Sequence, residues 1–146
     1  MTQEQLKNRA DVPEALTWDV TALYTTRADF DAALNGLKVA TATFATTYEG
    51  KLTDAKTILA AIKEYEKLIE TATLADHYAM MPEATDLTDP DNVELSRQTA
   101  NAMADISAQL TFFESELIGC DAAVLDQVVS EEACFASYIR HIKKNK

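Results

Sequence analysis

The sequence is poor in the residues that break or cross-link a chain. Three glycines and three prolines in 146 residues are too few turn formers for a fold of many short strands. Cys120 and Cys134, the two cysteines, make no disulfide framework. Positive charge is scarce as well: 13 Lys and Arg stand against 24 Asp and Glu, a formal charge of −11. Such a surface repels phosphate backbones and anionic lipid, which argues against nucleic-acid partners and membrane docking. No stretch has the form of a signal peptide, and none approaches the ~20 apolar residues of a membrane span. The expected setting is therefore reduced and cytoplasmic.

What the chain does have is helix-forming composition and enough length for one domain with a real core. The expected organisation is an N-terminal arm over residues 1–25 and a helical domain over 26–146. The only tryptophan lies in the arm, in Thr17-Trp18-Asp19-Val20-Thr21-Ala22-Leu23-Tyr24. Apolar positions 20, 23 and 24 fit about one helical turn, and Asp19 is placed to accept backbone N–H groups two or three residues on. Trp18 is expected to bury its ring and pin the arm onto the helices, although a hydrophobic arm of any kind would show most of these features. Residues 1–16 read as extended or frayed, with Pro13 biasing Val12 away from helix.

Thr26 and Asp29 approximate a capping box opening a first long helix. Its stripe is Phe30, Leu34, Leu37, Thr41, Phe44 and Tyr48, and it ends near Gly50. Thr53 or Asp54 caps a second helix with the stripe Ile58, Ile62, Tyr65, Ile69, Ala72 and Ala79, widened by Leu59 and Leu68. Pro82 is expected to stop it after about 27 residues, roughly 40 Å. A polar connection follows to Asp89, the N-cap of a third helix with Pro90 at its first position. That stripe runs Val93, Ala100, Met103, Ile106, Leu110, Phe113 and Leu117, with Gly119 terminating the helix. Two shorter helices are expected around Ala122 to Val129 and from about Ser130 to the end, the latter with Cys134, Phe135, Tyr138, Ile139 and Ile142 inward. The fold class is all-α: three long antiparallel amphipathic helices plus two shorter C-terminal ones.

Catalytic chemistry is hard to place on these residues. His77 and His141, the only histidines, are far apart, and His77-Tyr78-Ala79-Met80-Met81 lacks the glutamate and second histidine of an H-E-x-x-H zinc helix. Glu70, Thr73 and His77 share a helix face, where a solvated histidine is the ordinary reading. Asp86, Asp89, Asp91, Asn92 and Glu94 lack the register and glycine of a calcium loop and sit where acids complement a helix dipole. Cys134 reads as a buried structural thiol. Glu114 and Glu116 flank a helix end without the burial that raises a carboxyl pKa. Three glycines do not make a phosphate loop. The expectation is no catalytic, cofactor-binding or metal-ligating residue in this chain.

Several segments, in order, resemble the N-terminal region of the oligoendopeptidase F group of thimet-type zinc oligopeptidases. Arg9-Ala10-Asp11-Val12-Pro13 followed by Thr17-Trp18-Asp19-Val20-Thr21-Ala22-Leu23-Tyr24 is similar to R-x-x-(V/I)-P … T-W-D-L-T-x-L-Y. Tyr48-Glu49-Gly50-Lys51-Leu52 is similar to Y-x-G-K-L. His77-Tyr78-Ala79 leading into Asp86-Leu87-Thr88-Asp89-Pro90 resembles Y-A … D-x-T-D. Phe112-Phe113-Glu114-Ser115-Glu116-Leu117 resembles F-F-E-P-E-L, and Tyr138-Ile139-Arg140-His141-Ile142 resembles the Y-x-x-x-I that follows. Val20 stands where the pattern has leucine and Ser115 where it has proline, and Met80-Met81-Pro82 marks a junction with a proline that is unusual there.

The resemblance implies a parent enzyme that is a zinc metalloendopeptidase acting on short peptides. It places the H-E-x-x-H histidines, the general-base glutamate and a further glutamate ligand beyond residue 146, so this chain alone is expected to be inactive and to hold no zinc. It also implies that the helical region packs beside a catalytic lobe and helps wall a channel that admits oligopeptides. The partners expected are that lobe and the parent's oligopeptide substrates, with self-association through an exposed lobe-facing surface. The alternative is a stand-alone helical protein-interaction module, favoured by the broad apolar stripes and by Phe112 beside Phe113.

Overall fold

Short polar side chains set where each long helix begins. Asp29 N–H donates to Thr26 Oγ1 at 3.1 Å while the Asp29 carboxylate accepts from Thr26 N–H at 3.0 Å, a complete capping box for α1 (Arg27–Tyr48). Asp54, rather than Thr53, caps α2 (Ala55–Thr85) by accepting from Thr57 N–H at 2.9 Å. Asp89 caps α3 (Pro90–Gly119), accepting from Asp91 N–H at 2.9 Å with Pro90 at the first helical position. Asp121 does the same for α4 (Ala122–Glu131), and α5 (Ala136–Lys144) follows one 3-10 turn at Ala133–Phe135. These elements come from a computed structural model that describes residues 9–145. Among the described residues there is no strand, and the fold is all-α.

The three long helices pack against one another as an antiparallel bundle, joined by short reversals. Between α1 and α2 the chain turns at Gly50, whose φ of +72° lies in the left-handed region that glycine adopts without steric cost. α4 lies against α2, and α5 against α4 and α3, so both short helices cover one end of the bundle. Two exposed ion pairs link these pieces, Lys63 with Glu132 at 2.5 Å and Lys143 with Asp126. Pairs of this kind add little stability.

Apolar burial divides in two along the bundle. The larger cluster joins Leu37, Phe44, Ile58, Ile62, Leu110, Phe113 and Leu117 to Leu125, Val128, Ile139 and Ile142. At its centre Phe44 meets Phe113 edge-on at 5.3 Å, and Tyr65 lies over Phe113 at 4.6 Å. The smaller cluster, at the far end, holds Phe30, Ala75 and Ala79 with Tyr24, Tyr78 and Met103 packed on them. Phe30 stacks on Tyr78 at 4.8 Å, and Tyr24 meets both edge-on.

The helices depart from the expected pattern in several places. Pro82 does not stop α2, which continues to Thr85. A proline removes its own N–H bond and crowds the carbonyl four residues back. Residues 83–85 follow the ring and complete one more turn, in which Asp86 N–H and Thr85 Oγ1 both donate to the Pro82 carbonyl. Ile69 is 41% exposed, while Leu68, expected to widen the stripe, is buried together with Ala75, which lay outside it, so the buried face drifts around α2 along its length. In α3, Ala100 is exposed while Thr99 and Ala102 are buried. Gly119 ends α3 as expected, without taking positive φ. Ser130 lies inside α4, and the 3-10 turn after it rotates Cys134 outward, so that this thiol is exposed rather than buried. Residues 1–8 of the expected extended segment lie outside the described residues, and its remainder forms 3-10 turns at Arg9–Asp11 and Glu14–Leu16.

Candidate functional site

In the arm, Asp19 behaves as its position predicts: Thr21 N–H donates to Asp19 Oδ1 at 3.0 Å and closes a 3-10 turn at Val20–Ala22. The ring of Trp18 does not bury. It is 72% exposed and lines one side of a shallow hollow with Arg9, Met81, Pro82, Asp86 and Asn92. Thr85, in the one-turn extension of α2 beyond Pro82, lines the same hollow.

The acidic run between α2 and α3 is occupied by local bonds. Asp86 Oδ1 accepts from Thr88 N–H at 3.0 Å and from the Thr88 hydroxyl at 2.6 Å, and these bonds hold its carboxyl below the usual range. Asp89 accepts from Asp91 N–H and from the Asn92 amide, while Glu94 pairs with Arg97 and Gln98. His77 Nδ1 lies 2.8 Å from the carbonyl of Thr73, one turn back on α2. Among the described residues, no three His, Cys, Asp or Glu side chains converge as a metal site would require. The donor set for zinc that the family resemblance implies is therefore not assembled from these residues. Glu116 Oε1 accepts from Gly50 N–H at 2.7 Å, a structural bond across the bundle end.

The side chains that do converge lie on the face of α2 between α3 and α5. Tyr65 and Ile69 of α2 form the floor of two adjoining grooves. One is bounded by Leu110, Glu114 and Ile118 of α3, the other by Glu66 and Glu70 of α2 and Tyr138 of α5. Burial raises the pKa of the Tyr65 phenol, and the Glu114 carboxylate raises it further. Tyr138 is raised more strongly, by burial first and then by Tyr65 and Glu114. Both phenols thus stay protonated at neutral pH and offer hydroxyl donors and ring faces, neither being tuned as a nucleophile or base. The surface combines an apolar floor, two tyrosines and a rim of three glutamates.

The sequence contained these residues but assigned them other duties. Tyr65, Ile69 and Tyr138 read as core, and Glu114 as an idle carboxylate. The readable signal was Ile69 next to Leu68, since adjacent helical positions lie about 100° apart and one face cannot centre on both.

Comparison with known proteins agrees with the family resemblance at a distance. The chain is 25% identical over 114 residues to a protein named oligoendopeptidase F, chromosomal, from Lactococcus lactis subsp. cremoris. The match takes in 77% of this chain but only 19% of that protein's length. No protein-family model matches the chain, and no solved structure matches it. Among the described residues, no helix is long and apolar enough to cross a membrane. The chain is a helical region distantly related to part of a peptidase.

Proposed function

We propose that this chain is the N-terminal helical region of an oligoendopeptidase F-like zinc metalloendopeptidase, where it packs against a catalytic lobe and helps wall the peptide channel. The observation that carries the reading is the 114-residue match, which takes in most of this chain and a minor part of the relative. Zinc, held by H-E-x-x-H residues outside these 146, would supply the hydrolytic chemistry. The residues here would supply shape, as a helical wall with two apolar clusters along its length.

The test is the reading frame downstream of Lys146. A continuing frame encoding H-E-x-x-H is the expected result, and a native stop codon followed by an unrelated gene would overturn it. In solution, the purified chain with zinc is expected to leave a quenched oligopeptide uncut. Specific cleavage that survives rigorous purification would contradict the assignment of chemistry to another part of the protein.

A further inference from the structure

The grooves over Tyr65 and Ile69 combine features that the peptidase reading does not use. Their apolar floor is open to solvent, Ile69 being 41% exposed although the sequence places it on a buried stripe. Their rim carries Glu66, Glu70 and Glu114, with no Lys or Arg among the described lining residues. Tyr65 and Tyr138 stand where their phenols both sense the Glu114 charge.

An extended peptide would find no sheet edge here on which to pair its backbone, since no described residue is in a strand. A helix satisfies its own backbone and needs only side-chain contacts, which is how amphipathic helices enter apolar grooves. Ring faces beside carboxylates favour a planar guanidinium over an ammonium, because it stacks and pairs at once. We propose that this groove binds an amphipathic helix of a partner protein, one that lays an aliphatic stripe on Tyr65 and Ile69 and sets arginines against Glu70, Glu114 and Tyr138. The proposal rests on side chains in this chain alone.

The probe is a fluorescein-labelled 18-residue peptide with leucines at helical spacing flanked by arginines, titrated into the full chain while amide chemical shifts are followed. Two control peptides replace arginine with glutamate or scramble the stripe at constant composition. Saturable binding in the range of about 10–100 µM is expected, with shift changes centred on Tyr65, Ile69, Glu114 and Tyr138. Both controls, and the double variant Glu70→Lys/Glu114→Lys, should bind about tenfold more weakly. Asp31→Lys, an exposed charge at the far end of α1, should bind as the parent does. Equal binding of the scrambled peptide would reduce the effect to general charge attraction and overturn the proposal. Shift changes on another face would also overturn it, as would a dimer in sedimentation that Glu114→Lys dissociates, which would assign the groove to a second copy.

Discussion

The two ends of the bundle are built from the same three helices, yet they solve packing differently. Where α1 ends and α2 begins, Phe44, Tyr65, Phe112 and Phe113 meet ring to ring, and α4 and α5 cover them. At the other end α2 presents Ala75 and Ala79, and the aromatic contribution is Phe30 with Tyr24 and Tyr78. Among the described residues no further α-helix packs on that end, which the arm meets through Tyr24. Beside it Leu16, Trp18 and Leu87 are each more than 70% exposed. Small residues let helices approach closely, but they remove little apolar area from water. The difference teaches that this bundle concentrates its stability at one end and leaves apolar side chains uncovered at the other.

The largest expected effect tests that asymmetry directly. Phe113→Ala removes a fully buried ring from the aromatic centre and should lower stability by about 3–5 kcal/mol in urea unfolding. Phe30→Ala, in the smaller cluster, should fall near the lower limit, about 3 kcal/mol. Equal losses at the two positions would break the comparison.

Two buried threonines sharpen it with opposite signs. Thr99, in the first half of α3, donates to the carbonyl of Leu95 at 2.8 Å. Thr41, in the second half of α1, is fully buried, and its hydroxyl has no hydrogen-bond partner among the described residues. A buried hydroxyl without a partner loses its water and gains nothing in exchange. Thr41→Val should therefore raise stability by about 1 kcal/mol, while Thr99→Val should lower it by up to about 1 kcal/mol. Thermal unfolding of the pair reads both signs at once. The well-filled end would thus also contain the bundle's readiest site for improvement.

The smallest effect is expected in the arm. Because the Trp18 ring is mostly exposed, Trp18→Ala should change stability by no more than about 0.5 kcal/mol. A loss of several kcal/mol would show that the ring docks in solution and that the arm end is better covered than its side chains indicate.

Features set by neighbours in the sequence were legible in it; features set by distant contacts were not. The caps at Thr26 and Asp89 depend on residues two or three positions away, and both were readable from residue type alone. The cap at Asp54 was narrowed to two candidates. The left-handed turn at Gly50 was equally local. The exposure of Ile69 was hidden because it depends on where neighbouring helices stop covering α2. The reach of α2 past Pro82 was hidden because the penalty for proline falls on the turn before it, leaving the turn after it free to form. Cys134 was misplaced by one short 3-10 turn, which rotates every later residue relative to a continuous helix. The candidate groove needs side chains from α2, α3 and α5 together, and no spacing rule within one helix brings those together.

The bond from Gly50 N–H to Glu116 bears on the order of assembly. α1 and α2 can associate through contacts close in sequence, but the amide at their reversal is met by a carboxylate from near the end of α3. Until α3 arrives, only water satisfies that amide, and closing so long a loop is entropically late. The hairpin of the first two helices is therefore left incomplete by design, and its closure reports the docking of the third. Removing the carboxylate in Glu116→Ala should accelerate unfolding while leaving the folding rate nearly unchanged.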